Sequence, residues 1–316
     1  METDILSGGE RYFREERTAV FRKEEYTYIH TGIIDGAGDT WTTTELDEAN
    51  IFQVYNQYRE KHGIPFPDEI SGIRRHYGMS AAKMSQILGF GINQYRLYEE
   101  GEVPSISNAR AIVAAKKKDV FISFIEASKA EMSDSEYFRL KNKAESAAGD
   151  FAISAAPSVF SGFRSLSSDK ISAAIDMIMP VGGISVSKMN KLLFYADFIN
   201  YRRHGYGITG IVYHALPSGP VPDSWPLLYG TLSGVKMEES VYPDGRVGIM
   251  LRKETPSESD TLNGQEVNTI EYVCARFSGL NERELMTVCH KEKAWTEGCK
   301  NASGISYRWA FELYGR

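Results

Sequence analysis

Apolar and polar residues alternate in a strand-like manner over 17–34, RTAVFRKEEYTYIHTGII, where aromatic and β-branched side chains recur. DGAGDTW follows as a turn, and the period then changes. In TTTELDEANIFQVYNQYREKHG, the residues Leu46, Ile51, Val54 and Tyr58 fall on one apolar face of a helix. Thr44 is placed to cap that helix, its first turn is acidic, and Gly63 ends it. Pro65 and Pro67 open a second unit, in which the spacing predicts helices over 68–77, 80–88, 92–99, 105–114, 118–130 and 133–146. The segment 146–169, SAAGDFAISAAPSVFSGFRSLSSD, is rich in Ser, Ala and Gly and reads as a linker and hinge. Beyond it, two amphipathic helices are expected at about 168–179 and 186–204. ITGIVYHALPSGPVP reads as a short strand and a Pro/Gly turn, and VYPDGRVGIMLRKE as a hairpin turning at Asp244 and Gly245. Helices near 264–278 and 281–290 follow. The pattern predicts a fold that is mainly α with small β elements (α+β). It divides into a strand-rich unit over 1–64, a helical bundle over 65–148, a linker over 149–167 and an α-rich unit with a short β-hairpin over 168–316.

A chain of 316 residues suits two or three domains, and 42% hydrophobic with 25% charged residues is an ordinary globular balance. No apolar run approaches the ~18 residues that span a bilayer. The start, METDILSGGERYF, has no basic stretch followed by an apolar one, so no signal peptide is expected and the cytoplasm is the expected location. Cys274, Cys289 and Cys299 form no CxxC pair, which disfavours zinc ribbons and dithiol redox motifs; free thiols suit a reducing compartment. The net charge of -6 argues against general coating of a polyanion, but it leaves room for one locally basic face.

Such a face is expected around MSAAKMSQILGFGINQYRLYEEGEVP, residues 79–104. Ser80 caps a helix whose Met84, Ile87 and Leu88 turn to a core, and Gly89 permits the left-handed stop. A second helix starts near Gly91, with Ile92, Tyr95 and Glu99 on roughly one face and Asn93, Gln94, Arg96 and Leu97 off it. Asn and Gln suit adenine and Arg suits guanine, and the first residues of a recognition helix reach base edges. Asn93, Gln94 and Arg96 are therefore the readout candidates. Lys83, Lys116 and Lys117, near Arg74, Arg75 and Lys118 in sequence, are candidates for phosphate contacts. The plain alternative is a helical hairpin with polar surface residues and a solvated lysine run. Acid crowds the N-terminal unit instead, at Glu15, Glu16, Glu24, Glu25, Asp35, Asp39, Asp47 and Glu48. As a whole, S-x-x-x-M-S-x-I-L-G-F-G-x-N-x-Y-R-x-Y-E-x-G-x-x-P resembles the Xre/Cro-type helix-turn-helix. That resemblance implies binding to operator DNA and makes Tyr98, Glu99 and Gly101 scaffold, with Glu99 paired to Arg74 or Arg75. Repressors of this kind place two reading helices about one DNA turn apart. A homodimer is accordingly expected, with the helices at 105–146 as its surface.

The strand-rich start followed by ELDEANIFQVYNQYREKHG, together with FISFIEASKAEMSDSEYFRL after the reading motif, resembles the MqsA-type antitoxins. Those relatives usually carry a zinc module held by two CxxC pairs. This chain has no Cys before Cys274, and His30 alone does not build a site of about four ligands. A metal-free remnant is expected, with no metal and no cofactor.

In the last unit, Met189, Leu192, Leu193, Ala196 and Ile199 recur at helical spacing and read as core. Ser185 or Ser187 is placed to cap that helix. Gly219, Pro220 and Pro222 shape a turn, and Asn281 with Glu284 forms a capping box. Cys289, His290 and Glu292 are the most tempting catalytic set. Adjacent helical residues point about 100° apart, so Cys289 and His290 do not form a dyad with each other. His204, His214 and His290 have no recognised ligand spacing, and the chain is not expected to be an enzyme. K-x-N-K-L-L-F-Y-A-D (188–197), Y-x-A-x-x-x-G-P-V-P (213–222) and H-K-E-x-A-W (290–295) together resemble the Panacea domain, also called SocA-like. In that family the domain neutralises toxins or serves phage and adaptor roles. The resemblance implies a cognate protein toxin as partner, with Tyr195, Tyr213, Gly219, Pro220, His290 and Trp295 as candidate partner-binding residues. His290 and Trp295 are read first as ties between the final helices and the Gly-Pro turn. The combined expectation is the antitoxin of a type II toxin-antitoxin system that represses its own operon. The alternatives are a prophage or mobile-element transcriptional regulator, or a SocA-like proteolytic adaptor, without a cognate toxin.

Overall fold

The alternating stretch near the N-terminus folds as two long strands, β1 (Arg11–Phe21) and β2 (Glu24–Ile34), with a short β3 (Thr40–Trp41) beside β2. The computed structural model describes residues 10–153, 155–241, 245, 247–255, 261–300 and 303–314; Asp244, half of the expected hairpin turn, lies outside them. Arg22 and Lys23 turn β1 into β2 with φ of 50° and 71°. A two-residue hairpin loop of this kind needs left-handed backbone at both positions to match the twist of its strands. Asn and Gly usually announce it; here the Arg22 guanidinium donates to the carbonyls of Val103 and Pro104, each at 2.7 Å. β3 joins β2 antiparallel, Ile33 opposite Trp41.

Helix α1 (Thr44–His62) buries more than its expected apolar face. Val54 and Tyr58 are buried, but so are Asn50, Gln53, Asn56 and Arg59, while Leu46 and Ile51 are half-buried. The polar side chains are engaged. The Asn50 amide accepts from Thr31 N–H at 2.9 Å and donates to Thr31 C=O at 3.0 Å. Gln53 treats Ile29 alike, at 3.0 and 2.9 Å. Each amide makes the pair of bonds that a neighbouring strand residue makes. Asn50 Nδ2 also meets His30 Nδ1 at 3.2 Å, and burial lowers the pKa of that histidine.

The contacts gather into two units. One comprises Met1–Thr18, Thr27–Gln53 and Pro157–Arg316; the other comprises Ala19–Tyr26 and Val54–Ala156. The division falls inside β1, β2 and α1.

The second of these units contains α2 (Pro67–His76), α3 (Ala81–Ile87), α4 (Gln94–Glu99), α5 (Ile106–Ala114), α6 (Lys118–Ala127), a 3-10 turn at Lys129–Glu131 and α7 (Asp134–Ser146). Ser80, Ser105 and Ser133 cap α3, α5 and α7 through bonds from the backbone N–H of Lys83, Asn108 and Glu136. Ile70, Ile73, Met84, Ile87, Tyr95 and Phe121 form the centre of its core. Helix α4 begins at Gln94 rather than at residue 92, and Ile92, 84% exposed, does not share the buried setting of Tyr95.

In the other unit, α8 (Ser168–Ile178) and β4 (Ile184–Ser185) lead into α9 (Val186–His204). The hairpin β5 (Tyr213–Leu216) and β6 (Gly219–Pro222) follows, then α10 (Trp225–Thr231), β7 (Val235–Val241) and β8 (Val247–Lys253). Helices α11 (Gly264–Phe277), α12 (Glu282–His290) and α13 (Lys293–Gly298) and a 3-10 turn at Tyr307–Glu312 close the unit. Strands β4, β8 and β7 form an antiparallel sheet in that order. The expectation of an amphipathic helix at 186–204 is corrected: α9 buries 15 of its 19 residues, Met189, Leu192, Leu193, Ala196 and Ile199 among them. It is enclosed by α8, α11, α12, β6 and the Tyr307 turn, so it has almost no solvent face.

Part of the segment read as a hinge is core. Phe163 is 3% exposed, and a Cβ added at Gly162 would lie 2.7 Å from the Tyr307 ring and 2.8 Å from Gly207 N. Small residues there reflect close packing rather than flexibility. At the segment's other end, Phe151 lies against Gly72, and its N–H donates to Lys116 C=O at 2.8 Å. Among the described residues no helix is long and apolar enough to cross a membrane. The architecture is a mixed α+β fold.

Candidate partner-binding site

Three separated stretches, 188–197, 213–222 and 290–295, meet around α9. Ser185 caps this helix by accepting from Lys188 N–H, and Gly205 closes it with φ of 79°. Polar side chains on its buried faces reach the other two stretches or their neighbours. Asn190 Oδ1 accepts from Tyr229 Oη at 2.6 Å. Lys191 is 1% exposed and donates to Ser187 O and Oγ, both at 2.9 Å. Burial lowers its pKa, opposed by the nearby Glu282 carboxylate. Gly219, with φ of 108°, lies against the Lys191 stem: a Cβ there would be 3.1 Å from Lys191 Cε. Glycine suits this position through its left-handed backbone, and any side chain would also press the Lys191 stem aside.

Tyr195 stacks on Phe277 at 4.3 Å, and its hydroxyl donates to Glu292 Oε1 at 2.9 Å. Glu292 is fully buried, and its other oxygen accepts from Tyr314 N–H at 2.5 Å. Asp197, also fully buried, accepts from Ile208 N–H at 2.7 Å, Thr209 N–H at 2.8 Å, Thr209 Oγ1 at 2.5 Å and Tyr213 Oη at 2.7 Å. Burial pushes its carboxyl pKa up and these donors oppose the push. The network fixes the β5–β6 hairpin to α9.

Tyr195 and Tyr213 therefore belong to the core, with no exposed surface and both hydroxyls engaged, rather than to a binding surface. Gly219 and Pro220 are buried in β6. His290 stacks on Trp295 at 4.2 Å, and Trp295 Nε1 donates to Leu216 O at 2.9 Å, tying the last helices to the hairpin. Cys289 faces Lys191 and Tyr195, and burial pushes its thiol up to about 12. Cys289 and His290 thus enter different surroundings. Among the described residues no three His, Cys, Asp or Glu side chains are grouped to hold a metal.

Beside this network lies a cavity of about 510 Å3. Ser185, Val186, Ser187 and Asn190 line it from the start of α9; Leu216, Ser218 and Val221 from the hairpin; Trp225 from α10; Val247, Gly248 and Ile249 from β8; Glu282, Arg283 and Met286 from α12. Leu216 and Val247 are 43% and 66% exposed at its rim. Sequence reasoning missed this groove, which needs seven elements to assemble. It also missed Lys191 and Asp197 as buried polar anchors of α9, and Glu292 as the acceptor of Tyr195. The signal was polar residues at the middle of an otherwise apolar helix.

The candidates in the other unit are arranged differently. Asn93 and Arg96 are exposed at the start of α4, and Gln94 donates to Glu102 Oε1 at 3.0 Å. Tyr98 Oη accepts from Asn108 Nδ2 at 2.8 Å, Glu99 pairs with Arg74 at 2.6 Å, and Gly101 O accepts from the buried Arg59 guanidinium at 2.5 Å. The cations carry carboxylate partners: Lys83 with Glu136 at 2.5 Å, Lys117 with Asp150 at 2.8 Å, Arg96 with Glu100 at 3.7 Å, and Lys116 with Glu69. Glu69 is only 6% exposed, so Lys116 is held as the partner of a buried charge.

Residues 189–296 match the family model described as antitoxin SocA-like, Panacea domain. No curated protein and no solved structure matches the chain. The matched span runs from α9 into α13 and contains both hairpins and most of the groove lining.

Proposed function

We propose that the chain is an antitoxin that binds and blocks a protein toxin through the unit containing residues 189–296. The observation that carries this reading is the similarity of that span to the SocA-like Panacea domain; within it, buried hydrogen bonds tie residues 213–222 and 290–295 to α9. The network holds the hairpin firmly, and beside it an open groove offers apolar and polar groups to a partner. The test is co-expression of the full-length chain with the toxin-like product of the neighbouring gene. Growth rescue and co-purification are expected; a folded chain that neither rescues nor binds refutes the reading.

The same proposal includes repression of the chain's own operon through α3 and α4. Asn93 and Arg96 stand exposed at the start of α4, and the pairs of Lys83 and Lys117 are near the surface, where a phosphate can replace a carboxylate. Exposed Ile106, Val113, Val120 and Phe138 on α5 to α7 support a homodimer as the reading form. Asn93→Ala with Arg96→Ala is expected to weaken binding to the chain's own promoter by about 2 kcal/mol or more. Unchanged affinity in a mobility-shift titration removes both residues from the readout.

A further inference from the structure

We propose that the groove between β8 and the start of α9 takes an extended segment of the partner protein as an added strand on β8. The inference rests on reading residues 189–296 as a partner-binding region. β7 pairs with β8 along its whole length, Val247 to Lys253, whereas β4 pairs only with Met250 and Leu251. After Ser185 the chain leaves β4 and enters α9, so it parts from β8 before reaching Val247–Ile249. Among the described residues no strand covers that stretch on the β4 side, and the cavity opens there.

An open strand edge presents unpaired backbone N–H and C=O groups, and an extended peptide satisfies them in register. Edges meant to stay open are usually blunted by charge or proline. Val247, Gly248 and Ile249 carry neither. The facing wall is different: β6 contains Pro220 and Pro222, which have no N–H to offer. The groove thus has one wall fit for a full backbone ladder and one that is not, and the entering strand pairs with β8. Side chains of a strand alternate between its faces. Those turned inward meet Val221, Trp225 and Met286, so the segment carries apolar residues at alternate positions. The uncovered edge is about 10 Å long, which sets the recognised core at roughly three or four residues.

A display library of random short peptides, selected against the full-length protein, supplies the probe. Enriched peptides are expected to carry apolar residues at alternate positions. N-methylation of their backbone amides is expected to weaken binding by roughly tenfold or more in one alternating phase and hardly at all in the other. Met286→Arg is expected to abolish binding and Met286→Leu to keep it, with amide exchange at Val247–Ile249 slowed in the wild-type complex. A library without binders, peptides that bind as helices, or peptides indifferent to both N-methyl phases overturn the proposal. The N-methyl series uses wild-type protein and does not depend on how the variants fold. Failure of wild-type rescue while peptides bind in this way sinks the antitoxin reading alone; intact rescue with peptides that fail the N-methyl test sinks strand addition alone.

Discussion

Asp197 shows how one side chain organises its unit. It lies inside an apolar helix, yet it gathers two backbone N–H groups and the hydroxyls of Thr209 and Tyr213. Asp197→Ala strands these donors in the core. It is expected to cost roughly 3–5 kcal/mol, read as a lower urea midpoint for the full-length chain. His204, at the end of α9, acts in the opposite sense. Burial, with help from Arg203, lowers its pKa to about 4. Between an unfolded value near 6.5 and that folded value, the unfolded chain takes up a proton that the folded chain refuses. Its effect on stability is therefore absent above about pH 6.5, and stability falls as pH drops through the window, by about 2 kcal/mol at pH 5. His204→Gln is expected to remove this portion of the slope in thermal melts at pH 7 and pH 5. Neither role was legible in sequence: an Asp among Phe, Tyr and Leu announces burial, but its donors come 11 to 16 residues later and only the fold delivers them.

Elements with local signals were the legible ones. The helices of both units fall close to where periodicity and caps put them, because Ser80, Ser185 and Asn281 act within their own turns. Asn281 Oδ1 accepts from Glu284 N–H at 3.0 Å while Glu284 Oε2 accepts from Asn281 N–H at 2.9 Å, the reciprocal box expected of that spacing. Asn281→Ala is expected to cost about 1 kcal/mol, measured by chemical unfolding, and Asn281→Ser far less. The turn of the first hairpin was not legible within the strand-like alternation of 17–34, because Arg22 there is bonded to carbonyls some 80 residues away, which no local pattern contains. The groove was illegible for the same reason. It exists because β4 stops short along β8, a matter of register between distant segments.

At the scale of the molecule, sequence composition suggested breaks that packing does not respect. Residues 27–53 belong with 157–316: Phe52 meets the Tyr206 ring edge-on at 6.2 Å, and a Cβ at Gly205 would lie 2.9 Å from Phe52 Cβ. A fragment beginning at residue 165 loses Phe52 and the buried Phe163 together. It is expected to melt well below the full-length chain, by roughly 5 °C or more in calorimetry, for which two lost aromatic contacts suffice. Equal melting temperatures would mean that the fragment is self-sufficient. Asn50 and Gln53 have a further consequence. By occupying the backbone groups of Ile29 and Thr31, two helix amides keep that margin of the sheet from templating other copies of the chain. Their loss would register less as a lowered melting point than as a shortened shelf life, with clear stock turning to fibrous precipitate on standing.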